Sequence, residues 1–67
     1  MRNLIYYISI IKSNLYEFNY VIVDVKDYKG KIIHISFDRR QDVGNKCELI
    51  ANNLGDGNEV LSMRCKY

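Results

Sequence analysis

Apolar and polar positions alternate most clearly in residues 20–37, YVIVDVKDYKGKIIHISF. Two apolar runs flank a turn that begins at Asp27 and contains Gly30. Asp is favoured at the first position of a type I turn, and Gly accepts the left-handed conformation that ends a three-residue hairpin loop. We predict a β-hairpin closed by Asp27 and Lys31, because a slip of one residue would mix the two faces. The expected cross-strand pairs are Val25 with Ile33, Val23 with Ile35 and Val21 with Phe37 on one face, and Lys26 with Ile32, Asp24 with His34 and Ile22 with Ser36 on the other.

The segment before the hairpin is ambiguous between strand and helix. Residues 4–12, LIYYISIIK, are rich in Ile and Tyr, which favours a strand. The alternative is a helix, because Leu4, Ile8, Ile11 and Leu15 recur at helical spacing. We expect a strand that turns back and pairs with the hairpin to give a three-stranded meander.

After the hairpin the apolar spacing becomes helical. Asp42 and Asn45 are both candidate N-caps, and Gly55 supplies a helix stop. Residues 59–67 alternate again and predict a final strand. We therefore expect a single α+β domain over residues 1–67, with the order β-β-β-α-β and one helix packed on one face of a four-stranded, mainly antiparallel sheet. The apolar stripe of the helix is Val43, Cys47, Ile50, Ala51 and Leu54, and Leu61, Met63 and Cys65 are expected to face it from the last strand.

One helix covers only one face of such a sheet, and the opposite face would also carry apolar side chains. A contiguous apolar patch of some hundreds of Å² usually marks an interface, and aromatic residues are enriched at interfaces. The alternative is that the N-terminal segment bends and covers its own sheet. We expect the patch to join copies of the chain into a dimer or higher oligomer, or to bind a partner protein. The expected interface residues are Tyr6, Ile8, Ile10, Phe18, Tyr20 and Ile22.

Two adjacent arginines, Arg39 and Arg40, lie just before the predicted helix. A helix N-terminus favours anions, and the guanidinium group binds phosphate with two parallel hydrogen bonds. This position predicts an anion site for a small phosphorylated ligand such as a nucleotide. The alternative is that Asp38 and Asp42 neutralise both arginines.

The residues that could support catalysis are few. His34 is expected opposite Asp24, but Ser36 on the same strand is the nearest hydroxyl and no oxyanion loop is visible, so a solvated surface pair is favoured. One His with Cys47 and Cys65 does not match the spacing of a zinc site. We expect no metal, no cofactor and no enzymatic activity, with both cysteines as buried free thiols in a reducing cytoplasm.

Composition narrows the class of protein further. The 67 residues carry a net charge of +2, which is too small to indicate nucleic-acid binding. The apolar run near the N-terminus is too short to span a bilayer and lacks a signal-peptide cleavage site, so we expect a cytoplasmic protein without a membrane partner. Abundant Asn, Lys, Ile and Tyr, whose codons are AT-rich, suggest a low-GC bacterium or one of its phages.

The sequence thus leads to one main expectation and one alternative. The main expectation is a small non-enzymatic binding protein that acts by protein–protein contact through a sheet face as a homo-oligomer. An accessory role in a bacterium or phage, such as inhibition of a host system, fits its size and composition. The alternative is an oligomer that binds or sequesters a small phosphorylated ligand.

Overall fold

The computed structural model describes residues 2–67, which form an α+β fold with two helices beside a three-stranded antiparallel sheet. A short 3₁₀ helix, Leu4–Tyr7, leads directly into α1. The strand order across the sheet is β2-β1-β3, so β1 lies at the centre. The elements are α1 (Ile8–Asn14), β1 (Tyr20–Lys26), β2 (Ile32–Asp38), α2 (Val43–Leu54) and β3 (Glu59–Lys66).

The predicted hairpin is confirmed in every cross-strand pair from Lys26 with Ile32 to Val21 with Phe37. The Asp27 N–H donates to the Lys31 carbonyl at 2.8 Å, and the Gly30 N–H donates to the Asp27 carbonyl at 3.0 Å. Gly30 has a φ of +89°, the positive value that the loop requires. The turn residues therefore fix the register of β1 against β2.

The strand expected over residues 4–12 is wrong, because this segment is helical. Leu4 and Ile11 are fully buried and Leu15 is 5% exposed, so the stripe at helical spacing enters the core. The Asn3 side chain accepts a hydrogen bond from the Ile5 N–H at 3.1 Å and caps the first turn. Burial of one helical face outweighs the β-propensity of Ile and Tyr, which depends strongly on context. Residues 2–67 therefore contain a three-stranded sheet and two α-helices, whereas four strands and one helix were predicted.

The helix predicted after the hairpin is confirmed as α2, and the predicted last strand is confirmed as β3, with one change of detail. Asp42 is the N-cap of α2, and its carboxylate accepts the Asn45 N–H at 3.4 Å. In the ladder between β1 and β3, Asp24 pairs with Ser62 but Val25 pairs with Val60, so Leu61 is an extra residue. Because of this bulge, Val60 rather than Leu61 enters the core, at 1% exposure.

The core lies between the helices and one face of the sheet, which carries the odd-numbered residues of β1 and β2. The other face, here called the open face, points away from the helices, and no helix of residues 2–67 packs over it. Neither helix in that range has the length and apolar character needed to cross a bilayer. The open face consists of Tyr20, Ile22, Asp24 and Lys26 of β1, Ile32, His34, Ser36 and Asp38 of β2, and Glu59, Ser62, Arg64 and Lys66 of β3.

Candidate functional site

A polar cluster centred on Asp24 occupies the middle of the open face. The Ser62 hydroxyl donates to one carboxylate oxygen of Asp24 at 2.6 Å, and the Arg64 guanidinium lies 3.3 Å from the other. The Nδ1 atom of His34 also contacts that second oxygen, as the hairpin register predicted. The Asp24 side chain is only 16% exposed beneath these groups. All three strands of the described range contribute to the cluster.

The surroundings of Asp24 favour its charged form. The hydrogen bond from Ser62 contributes most to lowering the pKa of Asp24, and the contact with His34 follows. Partial burial acts in the opposite direction, and the positive charge of Arg64 lowers the pKa further. Asp24 is therefore a carboxylate that holds three side chains of neighbouring strands in fixed positions.

The cluster has the residue types of a hydrolytic triad but not its order. In such a triad the imidazole lies between the carboxylate and the hydroxyl, so that it can remove the hydroxyl proton. Here Asp24 lies between Ser62 and His34, and the Ser62 proton is donated to the carboxylate. The arrangement provides no activated nucleophile and instead fixes the shape of the open face.

Acid should weaken the fold through this carboxylate. Because the pKa of Asp24 is lowered from its ordinary value of 3.8, the unfolded chain binds more protons than the folded chain at acidic pH. The stability that Asp24 contributes is present above pH 3.8 and is lost as the pH falls through the lower pKa of the folded state. We expect Asp24→Asn to flatten the acid dependence of the urea midpoint, with Glu48→Gln as a control that removes an exposed carboxylate from α2. The same acid profile in both variants would contradict this role.

The structure separates the two arginines of the predicted anion site. The Arg40 guanidinium pairs with both carboxylate oxygens of Asp38, at 3.1 Å and 2.8 Å. This pairing lowers the pKa of Asp38 to about 2 and raises the pKa of Arg40. Arg39 instead donates to the Asn19 side-chain oxygen and has no carboxylate partner within residues 2–67. Of these two arginines, Arg40 is therefore neutralised, and Arg39 keeps a guanidinium charge without a counter-ion from residues 2–67.

Arg39 borders two open concavities, of about 400 Å³ and about 380 Å³. The first lies between the end of α1 and the start of α2 and includes Lys12 and Asp42. Both carboxylate oxygens of Asp42 already bind Asn45, so an acidic side chain occupies the helix N-terminus where an anion would be held. These contacts give the predicted phosphate site weaker support than the bare sequence did.

The expected interface residues fall into two groups. Tyr20 and Ile22 lie on the open face, and Tyr20 is 41% exposed. Phe18 precedes β1, and its ring centroid lies 5.1 Å from that of Tyr67. Tyr20 and Ile22 thus lie on the predicted sheet face, whereas Phe18 lies before the strand rather than in it.

The other three expected interface residues do not lie on the sheet. Tyr6 belongs to the 3₁₀ helix, and Ile8 and Ile10 belong to α1, so their predicted placement on a sheet face is wrong. Ile8 packs against the core, whereas Tyr6 and Ile10 are 65% and 47% exposed on the helical layer. The predicted apolar surface is thus divided between two layers of the molecule.

Ile32, Ser62 and Arg64 of the open face were not among the expected interface residues. Ile32 is 55% exposed on β2, and its place opposite Lys26 followed from the hairpin register. Alternation along the last strand places Ser62 and Arg64 on the face opposite Met63, but the sequence does not show which strand lies beside it. Ser62 and Arg64 lie beside Asp24 because β3 pairs with β1, and the sequence did not predict this pairing.

The cysteines and the comparisons with known proteins add little to the site. Cys47 and Cys65 are free thiols, and burial raises the pKa of Cys47 to about 11. Among residues 2–67, no group of three or more His, Cys, Asp or Glu side chains could hold a metal ion.

The chain matches no family model, no curated protein and no solved structure. The open face and the edges of the sheet are the features from which a function can be inferred.

Proposed function

We propose that the protein is a small non-enzymatic binding protein that acts as a homo-oligomer and meets a partner protein through its open face. The observation that supports this proposal is the one-sided fold. The helices of residues 2–67 pack on one face of the sheet and leave the opposite face to solvent. A sheet face that is partly apolar and lies on a rigid framework is suited to contact with another protein.

The composition of the open face resembles that of a protein interface. Tyr20 and Ile22 form an apolar strip at one end of the central strand. Ile32 lies on the same face at the other end, opposite Lys26 and beyond the row of Asp24 and His34. Arg64 and Lys66 lie beside this strip on β3. Interfaces combine apolar or aromatic anchors with a polar rim, and Tyr and Arg contribute most often to binding energy.

The framework beneath these side chains limits the entropic cost of binding. β1 is paired on both sides, so the backbone of Tyr20 and Ile22 is held by two ladders. Asp24 fixes the side chains of His34 and Arg64 through direct contacts. Groups that are ordered before association lose less conformational freedom when a partner binds.

The biological setting that we propose is an accessory role in a low-GC bacterium or its phage. Inhibition of a host system by occupying one of its protein surfaces requires a stable contact face and no catalytic step. The size of the chain and its Asn-, Lys-, Ile- and Tyr-rich composition support this setting.

Substitution at the open face should abolish partner binding. We expect an affinity-tagged chain to capture a partner from a bacterial lysate, and Tyr20→Asp to reduce the captured amount at least about tenfold, as loss of an aromatic anchor implies. Tyr16→Asp is the matched control, because Tyr16 is 86% exposed and lies outside the open face. Binding of the purified partner to each variant would then give the dissociation constants. Equal binding by both variants, or capture of no partner by the wild type, would contradict the proposal.

A further inference from the structure

The two edges of the sheet differ in their protection. On β3, the Val60 N–H donates to the Arg2 carbonyl at 2.6 Å, and the Arg2 guanidinium lies 3.4 Å from the Leu61 carbonyl. The bulge at Leu61 also interrupts the regular spacing of the outward backbone groups. Covering segments and bulges are devices that prevent a further strand from pairing with an edge. The first half of the β3 edge is therefore protected against pairing with a further strand.

The β2 edge is guarded only at its end. The bond between Asp27 and Lys31 fixes the alternation of the antiparallel ladder, so the even-numbered residues of β2 direct their backbone groups outward. Lys46 donates to the Ser36 carbonyl at 2.6 Å, and the Asp38 N–H donates to Gln41 at 3.1 Å. Within residues 2–67, the remaining outward groups have no hydrogen-bond partner; they are the N–H groups of Ile32, His34 and Ser36 and the carbonyls of Ile32 and His34.

The unpaired backbone groups of the β2 edge are arranged symmetrically about His34. A second copy laid antiparallel, with a two-fold axis at His34, would place His34 opposite His34 and Ile32 opposite Ser36. Every free N–H would then meet a carbonyl, since the Ser36 carbonyl has a second lone pair beyond the one that Lys46 uses. We propose that two copies of the chain join through β2 in this register and form one continuous antiparallel sheet. This inference rests on the proposed function, because it specifies how the copies of the homo-oligomer meet.

The side chains along β2 suit a second copy of the same strand. Ile32, His34 and Ser36 place no pair of fixed like charges opposite one another in this register, and the strand contains no proline. An interface in which the same patch serves both partners is the commonest form of dimer contact. Ile32, now 55% exposed, would be covered by the neighbouring strand.

The helical layer also exposes an apolar group on the helix that contacts the β2 edge through Lys46. Leu49 is 65% exposed and lies one helical turn after Lys46, whose side chain reaches the β2 edge. A two-fold axis perpendicular to the sheet keeps the helices of both copies on the same side. Leu49 and its counterpart would then lie on the same side of the continuous sheet. The open faces of both copies remain available and become one larger surface.

Amide hydrogen exchange tests this register in the unmodified protein. At a concentration where light scattering gives a dimer mass, we expect the amides of Ile32, His34 and Ser36 to exchange at least about tenfold more slowly than at high dilution. The Met63 amide, which points outward from the β3 edge, is the control and should not change. A dimer in which the three β2 amides exchange as fast as in the monomer would overturn the proposal, as would a monomer at all concentrations.

A backbone modification separates the edge from the open face. Chemical synthesis can place a methyl group on the backbone nitrogen of His34, which removes the outward donor and leaves the side chain unchanged. We expect the dimer dissociation constant to rise about 100-fold, because two symmetric hydrogen bonds are lost. The same modification at Met63 is the control and should leave the dimer intact. An unchanged dimer after methylation of His34 would refute the β2 contact and leave the open-face proposal standing. The open-face proposal is contradicted instead if Tyr20→Asp binds the partner as tightly as Tyr16→Asp, or if the wild type captures no partner.

Discussion

Replacing Phe37 by alanine is expected to remove most of the stability of the fold and to lower the urea midpoint of unfolding strongly. Phe37 is fully buried on the inner face of β2 and heads the set of large, fully buried side chains. Truncation of a buried Phe costs about 3–5 kcal/mol. Domains are stable by only about 5–15 kcal/mol, and a chain of this size lies near the lower end.

Urea unfolding followed by circular dichroism measures this effect. Tyr16→Ala is the matched control, because it also removes an aromatic ring but from a position that is 86% exposed. We expect the control to change the free energy of unfolding by no more than about 0.5 kcal/mol. Similar urea midpoints for the two variants would show that Phe37 does not anchor the core.

Gly55→Ala should have the second largest effect, because two separate constraints act on that position. Gly55 ends α2 with φ +86° and ψ 163°, a region that is occupied almost only by glycine and costs other residues about 1–3 kcal/mol. A Cβ atom there would also lie 2.8 Å from the Tyr28 ring, which must then shift. The substitution therefore disturbs the helix end and the hairpin loop together.

Gly30→Ala is the comparison that separates these two causes. Gly30 also has a positive φ, of +89°, but a Cβ atom at this position would meet nothing within 4 Å. We expect Gly55→Ala to lower the melting temperature clearly more than Gly30→Ala. An equal loss in the two variants would contradict an added cost from the contact with Tyr28.

The features that could be predicted from sequence are those that depend on neighbouring residues. Asp27 and Gly30 fix the hairpin loop, and the period of two then assigns every side chain of β1 and β2 to a face. The contact between Asp24 and His34 followed directly from that register. The apolar stripe of α2 and its N-cap were predictable for the same reason, because each depends on residues that are close in the sequence.

The N-terminal segment could not be assigned because its conformation depends on distant residues. The Leu4 N–H donates to the Asn58 side chain at 2.8 Å, and the Asn3 side chain donates to the Asp56 carbonyl at 3.0 Å. Both partners lie more than fifty positions further along the chain. Local propensity for a strand could not reveal these contacts, which hold a helix in place.

The candidate site was predictable only in part for the same reason. Alternation along the last strand predicted Leu61 in the core, but the bulge moves Val60 there instead. Ser62 and Arg64 reach Asp24 only because β3 returns beside β1 after the whole of α2. Neither the bulge nor the choice of neighbouring strand has a signature in the spacing of apolar residues.

The contacts of Arg2 with β3 make the two ends of the described chain a single cooperative unit. Arg2 binds the edge of β3 at Val60, and Leu4 binds the turn that precedes β3 at Asn58. Detachment of the N-terminal segment would uncover that edge, and detachment of β3 would remove the groups that hold the first helical turn. The first and last segments therefore open together, whereas the hairpin between them is closed by its own short loop.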